Sequence, residues 1–357
     1  MADVFDYKNT GVSKCPHCGA DMVYDPKVGA LHCSYCDATR PVEKRQCFRR
    51  DYDKEFKDGA VLIDDDVYKC PNCGGDITLE SFDTAVKCPY CGATNIVKIE
   101  DLKGLKPNAI LPFALAQEDA ANAGKKWIKK KIFAPIGLKK NFSVDKFKGI
   151  YIPSYAFTSD THSSYEGRLG ERRTRTVGSG KDRRTETYIY WYNVNGNKDM
   201  SFEDMPVEAS TQIEQKELNK ILPFDTQNLE AYNRDYISGF AAERYDTSLA
   251  GGFSVAQGQM REDIENSIKS DYNADVVDYL NVDIKFCNNK FHYMLLPLWV
   301  CSYKYRKKLY GFIINGRTGK STGKSPVSPW KVAIAVLLAL GLVALVVWLY
   351  LSGFFTE

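Results

Sequence analysis

Cys15-Pro16-His17-Cys18-Gly19 and Cys33-Ser34-Tyr35-Cys36-Asp37 stand near the start of the chain, with fourteen residues between Cys18 and Cys33. The same spacing recurs 55 residues later, in Cys70-Pro71-Asn72-Cys73-Gly74 and Cys88-Pro89-Tyr90-Cys91-Gly92. Two such cysteine turns, brought together by a hairpin, supply a tetrahedron of sulfur ligands. The pattern therefore predicts two tandem zinc ribbons. The expected ligands are Cys15, Cys18, Cys33 and Cys36 in the first ribbon and Cys70, Cys73, Cys88 and Cys91 in the second.

The residues around the cysteines support this interpretation. A glycine follows the second cysteine in three of the four turns, at Gly19, Gly74 and Gly92, where it permits a positive φ that turns backbone N–H groups toward sulfur. Asp37 takes that place in the remaining turn, and aspartate also tolerates left-handed geometry. Short apolar runs between the turns predict the hairpin strands, at 22–24 and 30–31 in the first ribbon and at 77–79 and 85–86 in the second.

The ligand set indicates what the metal does. Four thiolates complete the coordination shell, so neither site keeps an open position for a reacting water, and the metal is expected to be structural. Two structural Zn²⁺ ions per chain are the expected cofactors. Iron is the alternative, because tetrahedral sulfur sites suit iron as well as zinc.

The other end of the chain predicts a membrane anchor. Residues 332–351 are twenty uncharged, mostly apolar residues, which as a helix span about 30 Å, the thickness of a hydrocarbon core. Arg317, Lys320, Lys324 and Lys331 precede this segment, and the start of the chain shows no signal-peptide pattern. The positive-inside rule then predicts a single-pass, tail-anchored protein of the cytoplasmic membrane, with its N-terminal body in the cytoplasm and its C-terminus outside.

The fold class expected from these features is a multidomain chain of two tandem β zinc ribbons, an α+β middle domain and one C-terminal transmembrane helix. The net charge of +3 does not by itself indicate a nucleic-acid-binding protein. The predicted segments are zinc ribbon 1 at 12–42, an acidic linker at 43–66, zinc ribbon 2 at 67–98, the α+β cytosolic domain at 101–316, a basic juxtamembrane linker at 317–331 and the transmembrane helix at 332–351.

Within the middle domain, hydrophobic periodicity predicts a mixture of helices and strands. An aromatic strand at 149–168 and another at 187–192 predict a long β-hairpin with a mobile basic tip. Predicted helices cover 114–132, 214–221, 228–244 and 255–272, the last capped by Ser254, and predicted strands cover 276–286, 291–305 and 309–314. Ile152–Phe157 resembles Leu296–Cys301, which suggests a duplicated strand pair, although chance similarity explains it nearly as well.

Two basic clusters are candidate sites for an anionic surface. The first comprises Lys125, Lys126, Lys129, Lys130 and Lys131, and the second comprises Arg172, Arg173, Arg175, Arg183 and Arg184. Solvated faces, anionic lipid headgroups and nucleic acid are the three interpretations. Each ribbon carries three basic and three acidic residues, and a four-thiolate zinc site adds negative charge. Such ribbons suit protein partners better than phosphate.

The sequence shows no catalytic constellation. The glycine- and lysine-containing stretch 316–321 lacks the glycine spacing of a phosphate-binding P-loop, and prolines follow it where that motif requires a helix. We therefore expect a protein that is not an enzyme.

The cysteine turns, the strands at 152–155 and 296–299, and the stretch Asn315-Gly316-Arg317-Thr318-Gly319-Lys320 together resemble a family of uncharacterised bacterial membrane proteins. These proteins carry N-terminal zinc ribbons of the transcription-factor-IIB type and C-terminal transmembrane segments, and are often labelled primosomal-protein-like or helicase-like. No helicase core accompanies the resemblance here. It implies a membrane-bound adaptor for membrane-associated scaffold or stress-response proteins.

The expected function is that of a non-enzymatic, membrane-anchored cytosolic adaptor or scaffold whose structural zinc ribbons contact an unknown protein partner. The alternative is a membrane-tethered nucleic-acid-binding or regulatory protein that uses the ribbons and the arginines of 168–184.

Overall fold

The computed structural model describes residues 13–58, 62–69, 76–78, 97–136, 147–178, 183–210, 213, 215–243, 245–305 and 308–351. Its helices are α1 (Tyr52–Asp58), α2 (Gln117–Lys130), α3 (Gln215–Asn219), α4 (Leu249–Asp271) and α5 (Pro329–Leu351). Its strands are β1 (Met22–Asp25), β2 (Ala30–Cys33), β3 (Thr39–Pro41), β4 (Arg50–Asp51), β5 (Leu62–Lys69), β6 (Asp76–Thr78), β7 (Val97–Leu105), β8 (Ala109–Ile110), β9 (Phe147–Val177), β10 (Arg184–Glu208), β11 (Glu230–Ala231), β12 (Ala241–Glu243), β13 (Val276–Tyr305), β14 (Lys308–Asn315) and β15 (Ser321–Gly323). The described part of the chain is thus mostly β, with a curled sheet and an apolar C-terminal helix.

Three long strands form the centre of the sheet. β9 has 31 residues, and it pairs antiparallel with β10 on one side and with β13 on the other. β9 and β10 form the long hairpin that the aromatic strands predict, while its expected mobile tip falls mostly on residues 179–182, outside the described residues. The three strands expected at 276–314 are two in the structure, because β13 continues through an irregularity between Cys287 and Lys290.

Two similar units build this centre. The element order β8, α2, β9, β10 recurs as β12, α4, β13, β14. β8 runs parallel to β13 at Leu295, and β12 runs parallel to β9 at Tyr151. Ile152 lies opposite Leu296, which places the two similar sequence stretches side by side about a local two-fold axis. The duplicated strand pair suggested by the sequence therefore lies in one sheet.

Alternation along β9 divides the core between the two faces of the sheet. Ile150 and Ile152 point to the face covered by α3, where they pack with Leu218 and Ile221. Tyr151 points to the opposite face and packs beside α2, and Tyr155 on that face packs against α4. All of these side chains are buried, so both faces of the long strands carry core residues.

The expected acidic linker at 43–66 contains structure. β4 pairs with β13 at Lys290 and Phe291, and β5 pairs with β7. Tyr52 packs at the core, with its ring centroid 4.3 Å from that of Phe253. Acidic residues are common in this segment, but one buried aromatic ring and two strands hold it against the body.

The prediction of a helix at 228–244 is wrong. The segment forms β11, a 3-10 turn at Arg234–Tyr236 and β12. Its backbone forms hydrogen bonds with other segments of the chain. Ala231 N donates to the Arg45 carbonyl at 2.8 Å, and β12 pairs with β6 and β9. Tertiary pairing has overridden a helix-like apolar pattern.

The start of α4 also differs from expectation. The helix begins at Leu249, six residues before the expected start, and its cap is Ser248 rather than Ser254. Ser248 Oγ accepts a hydrogen bond from Gly251 N at 3.1 Å. Ser254 is exposed within the helix.

We expect Ser248→Ala to lower the free energy of unfolding by about 1 kcal/mol, because the first turn of α4 loses its side-chain acceptor. Ser254→Ala is the matched control and should change it by less than about 0.5 kcal/mol. Thermal or denaturant unfolding of the full chain measures both. Equal effects of the two substitutions would contradict the assignment of the cap.

A pair of carboxyl groups is buried between β10 and β12. Glu208 Oε1 has no hydrogen-bond partner among the described residues, whereas Glu243 accepts a hydrogen bond from Ser210 Oγ. Burial, followed by repulsion from Glu243, raises the pKa of Glu208 well above its ordinary value. Glu208 is therefore protonated over a pH range in which the same group is ionised in the unfolded chain.

This raised pKa makes stability depend on pH. The folded state binds a proton that the unfolded chain releases, so stability is greatest below the ordinary glutamate pKa and falls as pH rises toward the raised value. Glu208→Gln should remove this loss and stabilise the protein at neutral pH by on the order of 1 kcal/mol. The free energy of unfolding, measured from pH 5 to pH 8, tests this prediction. Glu203→Gln is the control, because Glu203 is exposed on the same strand. A wild-type-like pH dependence in Glu208→Gln would contradict the account.

Candidate metal centre

Four cysteines converge at one end of the first ribbon. The Sγ atoms of Cys15, Cys18, Cys33 and Cys36 all lie within 4.8 Å of one another. Cys15 Sγ is 3.5 Å from Cys36 Sγ, and Cys18 Sγ is 3.5 Å from Cys33 Sγ. Each turn thus contributes one sulfur to each close pair. The spacing suits a single metal ion at the centre of the four sulfurs.

The two turns have the same backbone geometry. Gly19 N donates to the Cys15 carbonyl at 2.9 Å, and Asp37 N donates to the Cys33 carbonyl at 2.9 Å. Gly19 has φ 75° and Asp37 has φ 57°, both left-handed. The expectation that aspartate can take the place of glycine in the second turn is confirmed. The strands expected at 22–24 and 30–31 are β1 and β2, with Met22 opposite Cys33.

The thiols do not ionise independently. The backbone N–H of Cys18, which donates toward sulfur, is the main cause that lowers the pKa of Cys15 to about 6. At Cys36 the backbone N–H of Ala38 also lowers the pKa, but the sulfurs of Cys15, Cys18 and Cys33 together with desolvation outweigh it and raise the pKa to about 12. One thiolate forms readily in this cluster, while four together need a cation at their centre.

The first ribbon is packed against the middle domain. Tyr24 N donates to the Ser238 carbonyl at 3.0 Å, and Ser238 Oγ donates to the Met22 carbonyl at 2.7 Å. Arg40 Nη2 lies 3.1 Å from Asp235 Oδ2. The ring of Tyr24 meets that of Tyr236 edge-on, with centroids 5.3 Å apart.

A helix at 228–244, as the sequence predicts, would not make these contacts with the first ribbon. Gly239 carries the signal that could have revealed them. Its φ is 87°, and a Cβ there would lie 2.9 Å from the Cβ of Val23. A glycine of this kind marks a turn closely approached by another segment.

The other predicted ligands fall elsewhere. Cys70, Cys73, Cys88 and Cys91 lie outside the described residues, so the second ribbon remains a prediction from the sequence. The first strand expected in this ribbon, at 77–79, overlaps β6, which pairs with β5 and with β12 of the middle domain. The returning strand expected at 85–86 lies outside the described residues.

The lysine cluster lies on the second half of α2 and at its C-cap. Lys126, Lys129, Lys130 and Lys131 are exposed and Lys125 is half-buried, while Trp127 and Ile128 on the opposite side of the helix enter the core. Lys131 Nζ lies 4.9 Å from the centroid of the Trp127 ring. Four of the five lysines are therefore exposed on the second half of α2 and at its C-cap.

The arginine cluster lies on the β9–β10 hairpin, beyond the part that β13 covers. Arg173 pairs with Glu171 at 2.7 Å, and Arg175 and Arg184 both pair with Glu186, at 3.3 and 2.9 Å. Arg172 and Arg183 are exposed neighbours on the same arm. Carboxylates within the hairpin thus offset much of the charge that the sequence suggests for phosphate.

The apolar C-terminal segment forms α5. Residues Pro329–Trp348 make up the one helix in the described part of the chain that is long and apolar enough to cross a membrane. None of the apolar window is buried within the protein.

Substitution of Gly19 separates backbone strain from packing, because a Cβ at Gly19 would have no heavy atom within 4 Å. We expect Gly19→Ala to cost about 1 kcal/mol of unfolding free energy through its left-handed φ. The matched control is Gly258→Ala in α4, where a Cβ also has open space. This substitution should stabilise the helix by up to about 1 kcal/mol. Thermal unfolding compares the two substitutions. Stabilisation by both would contradict the left-handed conformation of Gly19 in the first cysteine turn.

Comparison with known proteins gives one informative match. No family model matches the chain, and no solved structure matches it. The uncharacterized protein YdjG of Bacillus subtilis (strain 168) is 30% identical over 327 residues, which cover 90% of this chain and 91% of YdjG. Identity at this level over nearly the whole of both chains shows common descent. The chain therefore belongs to the same family as YdjG.

Proposed function

We propose that the protein is a non-enzymatic, membrane-anchored cytosolic adaptor, in which two structural zinc ribbons contact a partner protein. The observation that carries this proposal is the convergence of four cysteine sulfurs within 4.8 Å of one another. Four thiolates complete a tetrahedral zinc shell and leave no position for a reacting water. The metal in such a site holds two turns in place, and the surface that those turns present performs the function.

The tip of each Cys-x-x-Cys turn, which we call the knuckle tip, can offer an exposed aromatic side chain to a partner protein. Tyr35, between the two cysteines of the second turn, is 83% exposed. Tyr90 occupies the same place in the second ribbon by the 55-residue repeat. Tyrosine is enriched among the residues that dominate binding energy in protein interfaces. Two tyrosines at equivalent positions favour recognition of a protein by both ribbons.

The C-terminal helix supplies the membrane anchor in this proposal. α5 has 23 residues and lies outside the core, and a helix of that length exceeds the thickness of a hydrocarbon core. The basic residues before it favour a body on the cytoplasmic side and a C-terminus outside, by the positive-inside rule. A reducing cytoplasm also favours metal thiolates over disulfides.

The structure gives less support to the nucleic-acid alternative. Arg173, Arg175 and Arg184 of the arginine cluster are paired with Glu171 and Glu186. Arg173 and Arg175 also lie over the rings of Tyr190 and Tyr188, at 4.2 and 5.5 Å. Phosphate contacts would have to compete with these partners, and fewer released counterions mean weaker binding.

Affinity purification tests the proposal. The full-length protein, solubilised from its native membrane and treated with nuclease, is captured beside three variants: Tyr35→Ser/Tyr90→Ser, the control Tyr279→Ser, and a variant with Arg172, Arg173, Arg175, Arg183 and Arg184 changed to Gln. We expect one protein to co-purify in stoichiometric amount with the wild type, the control and the arginine variant. The knuckle-tip variant should lose it, since a tyrosine hot spot contributes about 2 kcal/mol or more.

Zinc content measured on the same samples shows whether the knuckle-tip variant keeps its metal. Retention of the partner by a zinc-loaded knuckle-tip variant would contradict recognition by the tyrosines. Recovery of nucleic acid instead, from samples without nuclease and only when the arginines are intact, would contradict the adaptor proposal and support the alternative.

A further inference from the structure

An exposed apolar segment follows α2. Ile132 is 75% exposed, Phe133 is 42% exposed and Ile136 is 62% exposed. Burial of Ala134 between them keeps the segment on the body of the protein. Three large apolar side chains exposed this close together are unfavourable in water, because the transfer of apolar surface out of water is favourable. We call Ile132, Phe133 and Ile136 the interfacial patch.

Hydrogen bonds fix the interfacial patch beside the first turn of α5. Ser328 N donates to the Phe133 carbonyl at 2.8 Å. Lys331 Nζ donates to the carbonyls of Ile132 and Ala134, at 3.0 and 2.8 Å. The patch therefore lies at the level where the proposed transmembrane helix begins. Trp330, which is 76% exposed, lies at that level too and suits a membrane interface.

Positive charge surrounds the same segment. Lys126, Lys129, Lys130 and Lys131 are exposed just before the patch, and residues 120–136 contain no acidic residue. Each lysine near an anionic bilayer adds to the electrostatic attraction between the protein and the membrane. Basic residues flanking large apolar ones are the composition of segments that lie in the plane of a membrane interface.

We propose that the interfacial patch inserts into the headgroup region of the bilayer that α5 crosses, with the lysine cluster against anionic lipid. This inference rests on the proposed anchoring by α5. It adds a second attachment, which holds the body at a defined orientation on the membrane rather than free on a tether. The lipid surface is the occupant because α5 begins at the patch and brings the bilayer to it.

Quenching by brominated lipids tests this contact. The full chain is reconstituted in vesicles of phosphatidylcholine and phosphatidylglycerol in equal amounts, with bromine near the glycerol end of the acyl chains. Phe133→Trp places a reporter in the patch, and Ile132→Trp is a second reporter should the first disturb folding. Phe48→Trp is the matched control, because Phe48 is 72% exposed and lies beside Lys290 and His292 of β13. The wild type supplies the baseline from its five tryptophans, of which Trp330 and Trp348 lie in α5.

We expect the emission added by Phe133→Trp or Ile132→Trp to be lost in brominated vesicles, and the emission added by Phe48→Trp to persist. The vesicle orientation of the protein does not matter, since the patch meets whichever leaflet α5 enters from the body. If the wild type is quenched but the emission added by both patch substitutions persists, this inference is overturned and the anchor still stands. An unquenched wild type would overturn both the anchor and the patch.

Discussion

The antiparallel pairing of β9 with β13 is the constraint on which the remaining structure depends. Their ladder runs from Gly170 opposite Val276 to Phe147 opposite Cys301. β10 and β12 pair with the outer edge of β9, β14 and β8 pair with the outer edge of β13, and α2 and α4 pack on one face. Its central residues, including Ile152 and Leu296, are almost completely buried. Because successive residues of a strand point to opposite faces, a slip of the ladder by one residue would move side chains such as Ile152 from the face covered by α3 to the face covered by α2 and α4.

The first ribbon is an extension of this body. Its strands share a core cluster with Phe113 and Tyr151, and Tyr151 Oη donates to the carbonyl of Tyr236, the residue that meets Tyr24 of the ribbon. Loss of a metal ion held by the four cysteines would therefore disturb more than a separate module, since binding energy and folding energy are linked in such sites. The same packing limits which side of the ribbon is open. The strands face the body, and the knuckle tip with Tyr35 faces solvent.

Features set by local chemistry could be predicted from the sequence, whereas those set by distant pairing could not. Cysteine spacing predicted the four-sulfur cluster around Cys15 and the left-handed turn at Asp37, because both follow from the geometry of a short knuckle. Apolar length predicted α5, and aromatic alternation predicted the β9–β10 hairpin. Residues 228–244 were misassigned, because their conformation depends on strands far away in sequence. Tyr52 shows the same limit: one buried ring holds a segment whose acidic composition is typical of a linker.

The central claim is that each ribbon holds one zinc ion through four cysteine sulfurs. Metal analysis combined with X-ray absorption at the zinc edge, on the full-length protein purified from its native membrane, tests it most directly. The account predicts two zinc ions per chain, each with four sulfur neighbours at about 2.3 Å. Iron in place of zinc, a single metal ion per chain, or oxygen and nitrogen neighbours at the metal would contradict it.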